Sequence, residues 1–261
     1  MLELSIIFEL EIVNNNMDES LIEASTDLLI ERALEIAGKS YSKEEIIKLL
    51  KDGDEFEKPV ALMSLENIDN QAEADYLIDN LTGCDGRIRE ASALKISEFL
   101  QKTETSKYFL DKNSLKIILD GIMDINPNVS RALIEGIKGC KALQSFICKP
   151  LIERILNIIG KLKEIADTPY YENRLKNSKN HAKNKIVFNL YWALEALYYT
   201  EFNNSDDKKL LEILNFTSSY IDYTIREKAA KILSKMDKVP SDLLQKLKND
   251  KNFYVKNQLL C

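Results

Sequence analysis

The chain has 261 residues, of which 45% are hydrophobic and 30% charged, with only 8 glycines and 5 prolines. This composition supports a buried core and excludes collagen-like, low-complexity and wholly disordered chains. So few glycines and prolines also argue against an all-β protein, whose many turns consume both. The net charge of −6 conceals an asymmetry. Residues 1–130 hold 13 Lys/Arg against 27 Asp/Glu, or −14, and residues 131–261 hold 23 against 15, or +8. The acidic half favours a basic partner; the basic half favours nucleic acid, an acidic protein or an anionic surface.

From the N-terminus, Leu4, Ile6 and Phe8 alternate enough to allow a strand, but a short capping helix is favoured, set apart by Asn14-Asn15-Asn16. Glu3, Glu9 and Glu11 interrupt the apolar run, and a secretory signal needs a positive start that is missing here. No stretch reaches the ~18 uncharged apolar residues of a membrane span. A cytoplasmic protein without membrane insertion is expected. Asp18 or Ser20 caps a helix that ends near Gly38. Ser42-Lys-Glu-Glu45 forms a capping box, with a helix to Asp52-Gly53. Pro59 sits in the first turn of a helix to Asn67.

Asp69 or Asn70 opens a helix through Ala74, Leu77, Ile78 and Leu81, stopped by Gly83. Gly86 precedes a long helix carrying Ile88 to Leu100. Leu115–Met123 follows, then Asn126-Pro127 as cap and first position of a helix to Gly139. Pro150 separates the helices Ala142–Ile147 and Leu151–Ala166. Residues 167–180 break the pattern, and helices near 182–200, 207–217, 223–236, 241–249 and 253–260 complete the chain.

A unit recurs along this series: an apolar helix, a polar turn with Asp or Asn, then a helix opening with Ile or Val beside a basic residue and small residues. Its copies include Asp85 with Ile88-Arg89, Asp124–Asn128 with Val129, Tyr220-Ile221-Asp222 with Ile225-Arg226, and Asn249–Asn252 with Val255-Lys256. This resembles the HEAT-repeat family and its bacterial members with short repeats, over most of residues 58–261. The resemblance implies an all-α, right-handed α-α superhelix, a HEAT-like solenoid of antiparallel helix pairs. Residues 1–17 are read as an N-terminal cap segment. Residues 18–261 are read as a single repeat domain with an inserted loop at 167–181. Two-helix units bury their apolar faces only against neighbours, which suits this reading. The Arg would then bridge neighbouring repeats and the Asp would cap, so Arg89, Arg226 and Asp85 are read as structural. Such solenoids serve many functions, and none transfers by fold alone.

Material for chemistry is sparse. His181 is the only histidine, which excludes multi-histidine metal sites. Cys84, Cys140, Cys148 and Cys261 form no C-x-x-C pair and are read as free thiols. No phosphate-binding loop is present. No metal, no cofactor and no enzymatic activity are expected. Two charged regions are candidate binding surfaces. The basic one comprises Tyr170, Tyr171, Arg174, Lys176, Lys179, His181, Lys183 and Lys185, in a loop suited to phosphates or an acidic protein. The acidic one comprises Asp52, Asp54, Glu55, Glu57, Glu73, Asp75 and Asp79. The aromatic run Phe188 to Tyr199 offers a stacking surface, but it reads better as core, with Trp192 between repeats. Trp192 and Glu195 loosely resemble the tryptophan and acid of HEAT-like alkylpurine DNA glycosylases, without the surrounding motif, and no catalytic role is assigned to them.

These features give a leading expectation of a non-catalytic scaffold or adaptor that binds another protein. One alternative is an inhibitor or immunity protein whose acidic half masks a basic toxin or enzyme. Another is a nucleic-acid-binding or DNA-repair protein using the basic half. A cofactor-handling enzyme such as a bilin lyase is suggested only by the short repeats.

Overall fold

A computed structural model describes residues 31–167, 173–201, 207–236 and 239–259. Among them there are 13 α-helices from Lys43 onward, a further helical segment at 31–37, one 3-10 turn and no strand. The expected cap segment at residues 1–17, with its choice between helix and strand, lies outside the described residues. The chain divides after Leu65 into two compact units.

In the first unit, residues 31–37 are helical and are followed by α1 (Lys43–Asp52) and α2 (Glu57–Ser64). The capping box forms as expected. The Glu45 amide donates to Ser42 Oγ at 3.3 Å and the Ser42 amide donates to Glu45 Oε2 at 2.8 Å. Ile46 and Leu50 of α1 and Ala61 and Leu62 of α2 form the core of this pair. Gly53 is the C-cap of α1, and a Cβ there would lie 2.4 Å from the Leu49 carbonyl oxygen, a close approach that only glycine allows.

The second unit contains α3 (Gln71–Asn80), α4 (Gly86–Leu100), α5 (Thr103–Ser106) with a 3-10 turn at Lys107–Phe109, α6 (Lys112–Ile122), α7 (Pro127–Gly139), α8 (Lys141–Asp167), α9 (Asn173–Tyr198), α10 (Asp207–Thr217), α11 (Tyr223–Leu233), α12 (Ser241–Lys248) and α13 (Phe253–Asn257). Helices pair in sequence as α3/α4, α6/α7, α8/α9, α10/α11 and α12/α13. Second members also pack on the next second member, giving the contacts α4–α7, α7–α9, α9–α11 and α11–α13. First members do the same along α3–α6–α8–α10. The α4–α7 contact is close. A Cβ on Gly136 would lie 2.9 Å from Leu100 Cδ1 and 3.1 Å from Ser97 Cα, so only glycine fits without displacement.

Two sequence expectations are corrected. Pro150 does not separate two helices but lies inside α8. It lacks the amide that a helix interior uses. Leu143, Ile147, Leu151, Ile152 and Ile155 are nevertheless all buried on both sides of it. Burying that continuous apolar stripe outweighs one missing bond and a ring clash of about 3 kcal/mol. The second correction concerns the inserted loop at 167–181. The backbone is already helical from Asn173, so residues 173–181 are helix and not loop, and residues 168–172 lie outside the described residues. Extending a helix costs far less than nucleating one, and the strongly apolar part after Ile186 supplies the nucleus. The short turn of helix at α5 has no counterpart in the sequence expectations.

Candidate functional site

Each second helix of the pairs begins with the same local chemistry. Asp85, Asn126, Asp222 and Asn252 are the N-caps of α4, α7, α11 and α13. Each side chain accepts an amide from the first helical turn, satisfying a donor that the helix cannot. Three residues after each cap stands Ile88, Val129, Ile225 or Val255, and all but the half-buried Ile88 are fully buried.

Two of these openings carry a guanidinium clamp built from corresponding partners. In α4, Arg89 Nε and Nη2 donate to Asp124 at 2.7 and 3.0 Å, and its Nη1 donates to the Gly83 and Cys84 carbonyls at 2.9 Å. In α11, Arg226 Nε and Nη2 donate to Asp250 at 2.6 and 3.1 Å, and its Nη1 donates to the Tyr220 and Ile221 carbonyls at 2.8 and 2.9 Å. Each arginine thus secures its own turn and grips the turn of the next hairpin. Each Asp also accepts an amide two residues on, from Asn126 or Asn252. The following acids extend the link: Glu90 accepts from Asn126 and Asn128, and Glu227 from Gln258. The hydrogen bond from Arg226 holds the Asp250 carboxyl below the usual range, against the opposing effect of burial. Ser130 occupies the clamp position in α7 and Lys256 in α13.

Across α7, α9 and α11 lies a row of aromatic rings faced by cations. Trp192 is buried and meets Phe188 and Tyr191 edge-on, with the Arg131 guanidinium of α7 over its ring at 5.6 Å. Lys138 of α7 lies 4.4 Å from the Tyr199 ring centroid. From α11, Lys228 faces Tyr191 at 4.6 Å, and Lys231 faces Tyr198 and Tyr199 at 4.3 and 4.9 Å. In the middle stands Glu195. Its two oxygens pair with Lys228 and Lys231, each at 2.8 Å, and only 15% of its side chain is exposed. Burial alone would raise its pKa, but hydrogen bonds from the two ammoniums outweigh burial and leave it lowered. Lys228 behaves reciprocally: desolvation would lower its pKa, and Glu195 keeps it raised. Lys235 donates to the Tyr198 and Thr200 carbonyls, where α9 leaves acceptors unpaired; desolvation lowers its pKa. A carboxylate held ionised between two ammoniums is poorly matched to proton transfer near neutral pH. Trp192, covered by Arg131 and neighbouring rings, offers no open face for stacking.

The expected basic patch is placed in part. Tyr170 and Tyr171 lie outside the described residues. Arg174, Lys176 and Lys179 lie on the first turns of α9, and His181, Lys183 and Lys185 are exposed further along the same helix. The acidic residues divide between the two units. Asp52 and Glu55 are exposed, while Asp54 and Glu57 cap each other at the start of α2: Asp54 Oδ1 accepts the Phe56 and Glu57 amides, and Glu57 Oε2 accepts the Asp54 amide. Asp54 also pairs with Arg32. Glu73 accepts the Asp69 amide at the start of α3, Asp75 accepts from Gln71, and Asp79 is exposed. Much of this acidity therefore serves helix ends.

Cys84 is exposed and Cys140 and Cys148 are buried, and none of the three is in a disulfide; Cys261 lies outside the described residues. Among the described residues no cluster of His, Cys, Asp and Glu is arranged to hold a metal. No helix among them is long and apolar enough to cross a membrane. A surface depression of about 450 Å³ between α8 and α10 is lined by Lys163, Lys208, Leu211 and Phe216, with Glu212 and Asn215, and is open to solvent. Compared with known proteins, the chain matches no protein-family model and no curated protein.

Proposed function

We propose that the chain is a HEAT-like α-solenoid that binds another protein and carries out no chemistry of its own. The observation that carries this reading is the repeated guanidinium clamp. Arg89 and Arg226 occupy the same position after an N-cap and grip an Asp two residues before the next N-cap. A shared inter-hairpin device, with first helices packing on first and second on second, is what a stack of repeats requires. Such stacks present long surfaces suited to macromolecular partners. Glu195, the carboxylate best placed for catalysis, is neutralised by Lys228 and Lys231. Affinity capture from nuclease-treated native lysate, at low and high salt, tests the reading. A stoichiometric protein partner supports it; recovery of no protein contradicts it.

A second reading has one specific observation in its favour. Around the aromatic row of α9, the cations Arg131, Lys138, Lys228, Lys231 and Lys235 face the carboxylates Glu135, Glu195 and Glu201. An excess of positive charge beside partly exposed tyrosines suits a single-stranded nucleic acid. Titration with a labelled oligonucleotide decides: binding that weakens steeply with salt, and weakens further for Lys138→Gln with Lys235→Gln, supports this alternative. Absence of binding removes it.

A further inference from the structure

The edge formed by the last two clamped turns is apolar where turns are ordinarily polar. Ile221 is 86% exposed, Phe253 65%, Tyr254 59% and Tyr223 42%. Tyr223 and Tyr254 stack across the two hairpins with ring centroids 6.4 Å apart, and Phe253 meets Tyr254 edge-on at 5.8 Å. Tyr223 opens α11 and Phe253 and Tyr254 open α13, with Ile221 just before the α11 cap, whereas Ile125, at the position matching Ile221 before α7, is exposed alone. A cluster of exposed aromatics marks an interaction site more than a single exposed side chain does.

The backbone beneath the cluster is fixed in advance. Arg226 binds the Ile221 carbonyl on one turn and Asp250 on the other, and Asp250 in turn accepts the Asn252 amide immediately before Phe253. One guanidinium therefore sets the separation of both halves of the patch. Less order has to be imposed when a partner binds, which is how preorganised surfaces gain affinity.

The charge around the patch selects the partner. Lys251 is exposed in the turn that leads to Phe253, Lys246 donates to Ser219 of the neighbouring turn, and Lys248 is exposed on α12; against them stand the exposed Asp242 and the half-buried Asp222 and Asp250, the first of these two spent as the α11 cap and the second on Arg226. A basic rim around an apolar centre is complementary to apolar side chains flanked by carboxylates. We propose that this edge docks an acidic, apolar segment of a partner protein, seating its apolar side chains on Ile221, Tyr223, Phe253 and Tyr254 and its carboxylates toward the three lysines. The inference rests on the protein-binding reading above and adds to it the surface and the chemistry of the partner.

The test uses the full chain and three short fluorescent peptides in anisotropy titrations. The first alternates Asp and Glu with Leu and Phe; the second replaces its acids with Lys; the third replaces its apolar residues with Ser. Saturable binding of the first alone is expected, weakened at least tenfold by Phe253→Ser with Tyr254→Ser. Lys248→Gln with Lys251→Gln should weaken it several-fold and flatten its salt dependence. Circular dichroism confirms that each variant is folded, and Ile221→Ser, in a turn outside any helix, gives an independent reading. Failure of the acidic peptide to bind, or equal binding by the patch variants or of the Lys peptide, overturns the inference. Sedimentation of the same proteins addresses a second copy as occupant: self-association lost with Phe253→Ser and Tyr254→Ser also overturns it. Capture from lysate run in parallel separates the two levels. A protein partner retained equally by wild type and patch variants leaves the protein-binding reading standing while the docking edge fails.

Discussion

Replacing Arg226 with leucine removes four hydrogen bonds, two of them to a carboxylate. The Asp250 side chain, 10% exposed in the intact protein, then keeps the Asn252 amide as its donor at 2.8 Å. Breaking a fully buried ion pair from one side costs about 3–5 kcal/mol. The retained amide and partial access to water place this loss lower, at about 2–3 kcal/mol. For a unit of this size each kcal/mol moves the melting temperature by roughly 2–4 °C, which gives a shift of about 4–12 °C. Thermal and urea unfolding of the wild type, Arg226→Leu, Asp250→Asn and the double variant form a cycle that isolates the pair. The double variant should lose clearly less than the sum of the singles. Arg89→Leu should lose a similar amount, because its pairing with Asp124 has comparable exposure, at 13% and 12%. Lys209→Leu should lose almost nothing, since its pair with Glu153 is about half exposed. A loss below about 0.5 kcal/mol for Arg226→Leu, against the 1.5–3 kcal/mol typical of hydrogen bonds to charged groups, would refute the clamp as a structural device.

Glu195→Gln should destabilise by about 2–4 kcal/mol because it leaves Lys228 largely buried without its counter-charge; Glu195→Leu with Lys228→Met should cost less, as measured by urea unfolding. The carboxyls of Asp85, Asp111, Glu195 and Asp250 all titrate below their ordinary values when folded. Their contribution should therefore be complete above the unfolded values of about 4 and disappear as pH falls through the lower folded ones, giving a steep acid limb in a pH series of unfolding midpoints. Lys228 is shifted upward, so its contribution should persist to about pH 10.4 and be lost above it. Gly136→Ala should lower stability by about 1–2 kcal/mol, because overpacking against Ser97 and Leu100 exceeds the roughly 1 kcal/mol gained in helix propensity; an unchanged melting temperature would show that α4 and α7 separate easily.

Helix openings were legible in the sequence because capping is local. Asp85, Asn126, Asp222 and Asn252 each announce a helix through a side chain that bonds within three residues. The bridging role of Arg89 and Arg226 was also legible as a type of contact. Their partners were not singled out, since Asp124 and Asp250 lie 35 and 24 residues away; an Asp two residues before an Asn cap is the signal that marks them. Glu195, Lys228 and Lys231 look like ordinary charges on helices until packing brings α9 and α11 together. Pro150 and the start of α9 misled for one reason: local propensity was weighed without the tertiary burial that overrides it. Several acids of the proposed acidic surface proved to be helix-end ligands, a local use that net charge does not reveal.

Chemical cross-linking of the captured complex, read by mass spectrometry, tests most directly that the chain is a protein-binding scaffold. The account expects reproducible cross-links from one protein partner to lysines of the second unit, with Lys246, Lys248 and Lys251 among them. Recovery of nucleic acid without any cross-linked protein, released by salt and lost on nuclease treatment, would contradict it and give the function to the cations of α7, α9 and α11.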